Sequence, residues 1–167
     1  WNQLANHYAH CGSLAVAFDH YAHAIALAPR EPTYYHNLGT AIFLYRRDAM
    51  RYYHINEQQV FDRALELFNM AVKLDPNNLE LAADVARTYY GIKPLRVQDA
   101  LAAWRHLYRA ARTAVQRESA ALNLARISME AGHLEAARGY LSEVTHQAHQ
   151  HDKGVLTNRL AEKQELA

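Results

Sequence analysis

The chain has 167 residues and a formal net charge of +1, from 18 basic and 17 acidic side chains. This balance creates no strong overall field, so net charge indicates neither a nucleic-acid partner nor a membrane surface. No apolar run approaches the roughly 18 residues of a membrane-spanning helix, so we expect no membrane insertion within this segment. The length suits a single domain, and the scarcity of glycine and proline favours helix almost throughout. The predicted fold class is all-α.

A pattern of small and aromatic residues followed by proline occurs twice. Its members are Ala17, Tyr21, Ala24 and Pro29 in the first copy, and Ala64, Phe68, Ala71 and Pro76 in the second. On a helix, the first three members of each set share one face. The small residues let a neighbouring backbone approach and the aromatic fills the remaining gap, while the proline ends the helix.

A second pattern, of large and small residues, precedes each of these helices and recurs later. It comprises Trp1, Leu4, Ala5 and Tyr8; Tyr35, Leu38, Gly39 and Ile42; Ala82, Val85, Ala86 and Tyr89; and Ala121, Leu124, Ala125 and Ser128. Two further sets follow the later copies: Ala100, Trp104 and Leu107, then Ala137, Leu141 and Val144. Recurring helix pairs predict a solenoid, and most solenoids bind other molecules.

These paired patterns resemble the tetratricopeptide repeat family, whose unit is two antiparallel helices in about 34 residues. The resemblance implies a right-handed α-solenoid of about nine helices in one domain. It implies repeats at approximately residues 1–31, 32–78, 79–114 and 115–151. Residues 152–167 are then a capping helix or the start of a further repeat. Trp1 already holds an interior place in its helix, so we expect the natural protein to extend upstream.

The spacing of equivalent small residues predicts an insertion in the second repeat. Ala5 and Gly39 are 34 residues apart, Gly39 and Ala86 are 47 apart, and Ala86 and Ala125 are 39 apart. We assign the insertion to residues 46–59 and expect the first helix of this repeat to continue into it. Loops inserted in solenoids often carry specificity. The candidate contact residues of the insertion are Arg47, Arg51, Tyr52 and Tyr53. We expect both tyrosines to pack back on the second repeat.

In the tetratricopeptide family, the first helix of each pair lines a concave groove that binds a peptide or a partner helix. Projecting these helices from their core positions predicts nine lining residues: Asn2, Asn6, His36, Thr40, Phe43, Arg87, Tyr90, Arg126 and Met129. Arg87 and Arg126 are one repeat apart. We therefore expect a protein or peptide partner with an acidic residue opposite these two arginines.

Motifs of catalysis and metal binding are missing from the sequence. It has no Gly-rich phosphate loop, no His-Glu-x-x-His and no Gly-x-Ser-x-Gly. Eleven histidines occur, but no carboxylate or cysteine pattern completes a zinc site around them. The single cysteine, Cys11, lies beside a glycine and is interpreted as a small residue packed at a turn. We predict a non-enzymatic protein without metal or cofactor. One cysteine leaves localisation open and slightly favours the cytoplasm.

The sequence thus predicts a non-catalytic protein–protein interaction module that binds a peptide or partner helix in the concave groove. Two alternatives stay open. In the first alternative, the chain is an architectural segment of a larger multi-repeat assembly or a self-associating scaffold. In the second, it is a nucleic-acid-binding helical repeat, since the insertion combines arginines with aromatic residues suited to stacking.

Overall fold

The computed structural model describes residues 1–165 of the chain, and Leu166 and Ala167 of the predicted segment 152–167 lie outside the described residues. Residues 1–165 form ten α-helices and no β-strand, so the all-α prediction is confirmed. The helices are α1 (Asn2–Cys11), α2 (Leu14–Leu27), α3 (Pro32–Leu44), α4 (Arg46–Tyr53), α5 (Glu57–Leu74), α6 (Leu79–Thr88), α7 (Val97–Ala110), α8 (Ala114–Glu130), α9 (Leu134–Ser142) and α10 (Gln150–Glu165). Two short 3-10 segments, Tyr89–Gly91 and Gln147–His149, follow α6 and precede α10.

The insertion forms a helix of its own, which accounts for ten helices instead of nine. α3 ends just before Tyr45, whose φ of −101° and ψ of 41° depart from helical geometry. The prediction of a helix that continues into the insertion is therefore wrong at this residue. α4 ends where His54 takes a left-handed conformation, with a φ of 54°. Asn56 then begins α5 with a capping box: its Oδ1 accepts from the Gln59 N–H, and Gln59 Oε1 accepts from the Asn56 N–H, both at 3.0 Å.

The residues of the repeated patterns form the buried core. The buried set in the first half includes Ala5, Ala17, Tyr21, Ala24, Leu38, Gly39, Ile42, Ala64, Phe68 and Ala71. The set in the second half includes Ala82, Val85, Ala86, Tyr89, Ala100, Trp104, Leu107, Ala121, Leu124, Ala125, Ser128, Ala137, Leu141 and Val144. Besides the prolines, four pattern residues lie outside the buried set: Trp1 and Leu4 are exposed, and Tyr8 and Tyr35 are half-buried. For the buried members, the predicted helix face is confirmed.

Gly39 shows why the pattern needs a small residue opposite an aromatic one. A Cβ placed on Gly39 would lie 2.8 Å from Phe68 Cε1 and 3.2 Å from the Ala64 carbonyl oxygen. Any side chain here would push α3 away from α5, so glycine permits the close approach. The prolines also act as predicted, since α2 and α5 each end two residues before Pro29 and Pro76.

The described helices belong to two compact units, with the boundary between Leu81 and Ala82. In the first unit, α2 packs against α1, α3 and α4, and α5 packs against α3 and α4. In the second unit, α8 packs against α7, α9 and α10, and α10 also packs against α9. Leu160 of α10 lies in one buried cluster with Leu122, Met129 and Leu141. α10 is thus part of the core of the second unit.

Candidate functional site

Two asparagines predicted to line the groove are hydrogen-bonded inside the first unit. Asn2 Oδ1 accepts from Asn37 Nδ2 at 3.2 Å, which links α1 to α3. Asn6 Oδ1 accepts from the Tyr21 hydroxyl at 2.6 Å, which links α1 to α2. Burial raises the pKa of Tyr21, so this hydroxyl keeps its proton and remains a donor. The amide oxygens of both asparagines therefore hold helices together.

The predicted lining of α3 is also half-buried within the first unit. The His36 ring lies 5.6 Å from the Phe68 ring, and the Phe43 ring lies 5.8 Å from the Phe61 ring. Thr40 is half-buried between them along α3. Since Phe61 and Phe68 belong to α5, these aromatic contacts join α3 to α5. His36 and Phe43 have less free surface for a ligand than the sequence suggested.

The two tyrosines of the insertion contact α2 of the first repeat, so the expectation that both pack on the second repeat is wrong for Tyr52. The Tyr52 hydroxyl donates to Asp19 Oδ1, and this bond raises the pKa of Tyr52 to about 12. The Tyr53 ring lies 5.7 Å from the buried Phe18 ring. The guanidinium of Arg63 from α5 stacks 4.1 Å from the centre of the same Tyr53 ring. Tyr53 thereby joins the insertion to α2 and to the second repeat.

The arginines of the insertion are exposed, and two of them form ion pairs. Arg46 Nε forms an ion pair with Glu57 at 2.8 Å, and Arg51 lies 3.8 Å from Asp48. Arg47 is exposed. Exposed ion pairs of this kind contribute little to stability, about 1 kcal/mol or less. They do lower the positive potential that a polyanion would meet on this surface.

The second unit holds the remaining predicted lining residues, and Arg126 is the most available of them. Its guanidinium stacks 4.5 Å from the centre of the Tyr90 ring. The Tyr90 hydroxyl donates to Asn123 Oδ1 at 2.7 Å, and burial raises the pKa of Tyr90 to about 12. Arg87 instead forms an ion pair with Asp84, one turn earlier on α6. Among the described residues, Arg126 forms no ion pair, so its charge is not neutralised.

Met129 is not accessible for the contact assigned to it. Only 1 % of its surface is exposed, because α10 covers this part of α8 and places Leu160 in the same cluster. Because the prediction considered α8 alone, it did not include a second helix that packs over α8. In the structure Met129 is a core residue of the second unit.

The exposed face of α8 forms one wall of a cleft of about 440 Å³, and α10 forms the other. His149 Nε2 lies 3.0 Å from the Val115 carbonyl oxygen at the start of α8, and Arg159 pairs with Glu130 at its end. The two helices therefore run in the same direction along the cleft. Its lining residues are Ser119, Leu122, Asn123, Arg126, His149, Asp152, Val155, Leu156 and Arg159.

A buried carboxylate, Glu118, fixes the chain that leads into α10. It accepts hydrogen bonds from the N–H and hydroxyl of Thr145, at 3.1 and 3.0 Å, and from the N–H of His146 at 2.8 Å. Burial raises the pKa of Glu118, but these hydrogen bonds outweigh it and leave the pKa below its usual value. Lys153 Nζ adds a bond to the Val144 carbonyl oxygen at 2.7 Å. α8 thereby positions the helix that faces it.

Of the residues that line this cleft, the sequence analysis predicted only Arg126, and two of those it missed, Asn123 and Arg159, occupy equivalent positions. Each lies two positions before a small residue, Ala125 in α8 and Ala161 in α10. Asn37 holds the same place before Gly39 and also contacts the preceding helix pair. Extending the projection to this position, and applying it to α10, would have identified both residues.

Other classes of site find little support in the described residues. No group of three or more His, Cys, Asp or Glu residues there is placed to hold a metal ion. Cys11 is exposed. None of the helices between residues 1 and 165 combines the length and apolar character needed to cross a bilayer.

Comparison with known proteins adds no assignment. No protein-family model matches the sequence, and no curated protein matches it either.

Proposed function

We propose that the chain is a non-enzymatic interaction module of tetratricopeptide type, a right-handed solenoid that binds a peptide or a partner helix. Two features support the helix pairs. Most of the repeated pattern positions are buried, and the approach of α3 to α5 depends on Gly39 as such a pair requires. The lining of the first unit is largely hydrogen-bonded or packed internally, so we assign ligand binding to the face of α8 in the second unit.

The observation that carries this proposal is the state of Arg126. Its guanidinium is exposed and held in place by the Tyr90 ring, and no carboxylate among the described residues pairs with it. An arginine that is oriented but not neutralised loses little side-chain entropy on binding. A carboxylate of the partner would form charge-assisted hydrogen bonds with it.

The test is a selection of peptides from a random display library on immobilised protein. We expect selected peptides to contain an Asp or Glu, and the Arg126→Glu variant to bind them at least about tenfold more weakly, since a charged hydrogen bond is lost and repulsion replaces it. Arg105→Glu is the matched control, because Arg105 is exposed on α7 of the same unit and lies outside the cleft. Equal loss in both variants, or no enriched peptide, would refute the proposal.

A second candidate is the architectural or self-associating scaffold. Trp1 and Leu4 of α1 and Leu27 of α2 are all exposed large apolar residues, with 57 %, 41 % and 63 % of their surface accessible. Exposed apolar surface on a helix pair favours stacking of another repeat on it. Two results would favour this alternative. The chain would dimerise in a concentration-dependent way that the double variant Trp1→Ser/Leu4→Ser abolishes, and Arg126→Glu would leave peptide binding unchanged.

The nucleic-acid alternative has less support. Tyr52 and Tyr53 make their ring and hydroxyl contacts with α2 and Arg63, so these rings are not free platforms for bases. The neighbouring carboxylates Asp48 and Glu57 further weaken the basic patch.

A further inference from the structure

The cleft between α8 and α10 has an apolar middle. Val155 is 54 % exposed although it lies on a helix whose Leu160 is buried. Beside it, Leu156 is half-buried and Leu122 is part of the core. Covering Val155 and Leu156 with an apolar side chain would remove this surface from water and favour binding.

The two ends of the cleft carry opposite charge. Asp152 lies in the first turn of α10, and Arg126 and Arg159 lie toward the other end. Arg159 is compensated by its ion pair with Glu130, so the positive charge at that end comes from Arg126. A carboxylate of a ligand fits beside Arg126, and a cation fits beside Asp152.

The length of the cleft limits the size of the ligand segment. Asp152 and Arg159 are seven residues apart in α10, which corresponds to about 10 Å along the helix axis. An extended peptide covers this distance in about three residues. The two charges of a ligand that lies within this wall should therefore be no more than about three residues apart.

We propose that this cleft binds an extended peptide segment in which an apolar residue lies between a basic and an acidic residue, with the carboxylate on Arg126. The inference rests on the proposed function and specifies the segment that is recognised. The apolar side chain covers Val155 and Leu156, and the basic side chain lies toward Asp152.

The probe is a panel of capped hexapeptides, each with one Lys, one Leu and one Asp in all orders on a Gly/Ala background. Binding to the full chain is followed by amide nitrogen–proton NMR. We expect the best peptides to shift resonances in α8 and α10. Replacing their Asp with Asn should weaken binding about tenfold, because a charge-assisted hydrogen bond becomes a neutral one.

Matched variants separate recognition from misfolding. Arg126→Glu should reverse the preference, so that peptides with Lys in place of Asp bind better than the originals. Val155→Asp should weaken binding at least about tenfold by placing a charge in the apolar middle. Ala161→Asp should have no effect, because Ala161 is exposed on the same helix outside the cleft.

Three results would overturn the inference: no hexapeptide shifts α8 and α10 at millimolar concentration, Val155→Asp binds like wild type, or Arg126→Glu shows no reversal. The display selection keeps the proposed function distinguishable. Longer selected peptides that depend on Arg126 but not on Val155 would leave the proposed function standing and refute the cleft assignment. Peptides that depend on neither residue would refute both.

Discussion

In the first unit, polar side chains of α1 bond to neighbouring helices, as Asn2 does with Asn37 of α3 and Asn6 with Tyr21 of α2. In the second unit, the corresponding face keeps a guanidinium, Arg126, that stacks on a ring without a charged partner. The same helical pattern thus supports two uses of the face. Where polar groups find internal partners they add stability, and where one charge stays uncompensated it is available for a ligand.

The largest effect on stability is expected when the packing of α10 in the core of the second unit is weakened. Leu160→Ala should lower the free energy of unfolding of the second unit by about 2–5 kcal/mol, because it removes buried contacts and leaves a cavity. Urea unfolding followed by Trp104 fluorescence in a Trp1→Phe background measures this, since the chain has 2 tryptophans.

The matched control is Val155→Ala, on the same helix but largely exposed. It should cost about 0.5 kcal/mol or less. If Leu160→Ala and Val155→Ala lower the free energy of unfolding by similar amounts, the packing of α10 does not depend on the buried cluster.

A smaller effect is expected in the first unit when the insertion loses its bond to α2. Tyr52→Phe should destabilise by about 1 kcal/mol, because the hydroxyl that donates to Asp19 is removed. Amide hydrogen exchange should rise in α4, whose few residues depend on contacts with α2 and α5. Tyr34→Phe, a half-buried tyrosine on α3, is the control. Unchanged exchange in α4 would mean that the insertion is held by other contacts.

A third effect concerns the pH dependence of stability and Tyr90. Burial raises the pKa of Tyr90 to about 12, whereas an unfolded tyrosine ionises near pH 10. Between these values the unfolded chain binds fewer protons than the folded one, so stability falls as pH rises. The free energy of unfolding should therefore fall less for Tyr90→Phe than for wild type between neutral pH and about pH 11. Urea unfolding followed by Trp104 fluorescence at each pH measures this difference. Parallel pH profiles for the two proteins would contradict this.

The sequence predicted the core better than the candidate site. A helical period and alternating small and aromatic residues depend on local spacing, so the buried positions of α2, α5 and α8 could be identified without coordinates. The hydrogen bond of Tyr52 to Asp19 and the buried cluster that holds Met129 and Leu160 join residues from different helices, and no local spacing encodes such partners. The break at Tyr45 likewise has no glycine or proline to announce it.

Glu118 has a consequence for the kinetics of binding. Because this residue of α8 holds Thr145 and His146, the two walls of the cleft are tied together before any ligand arrives. A preorganised cleft requires no closure step and loses little conformational entropy when it is filled. Association should then be set by encounter, and differences between peptides should lie mainly in how fast they dissociate.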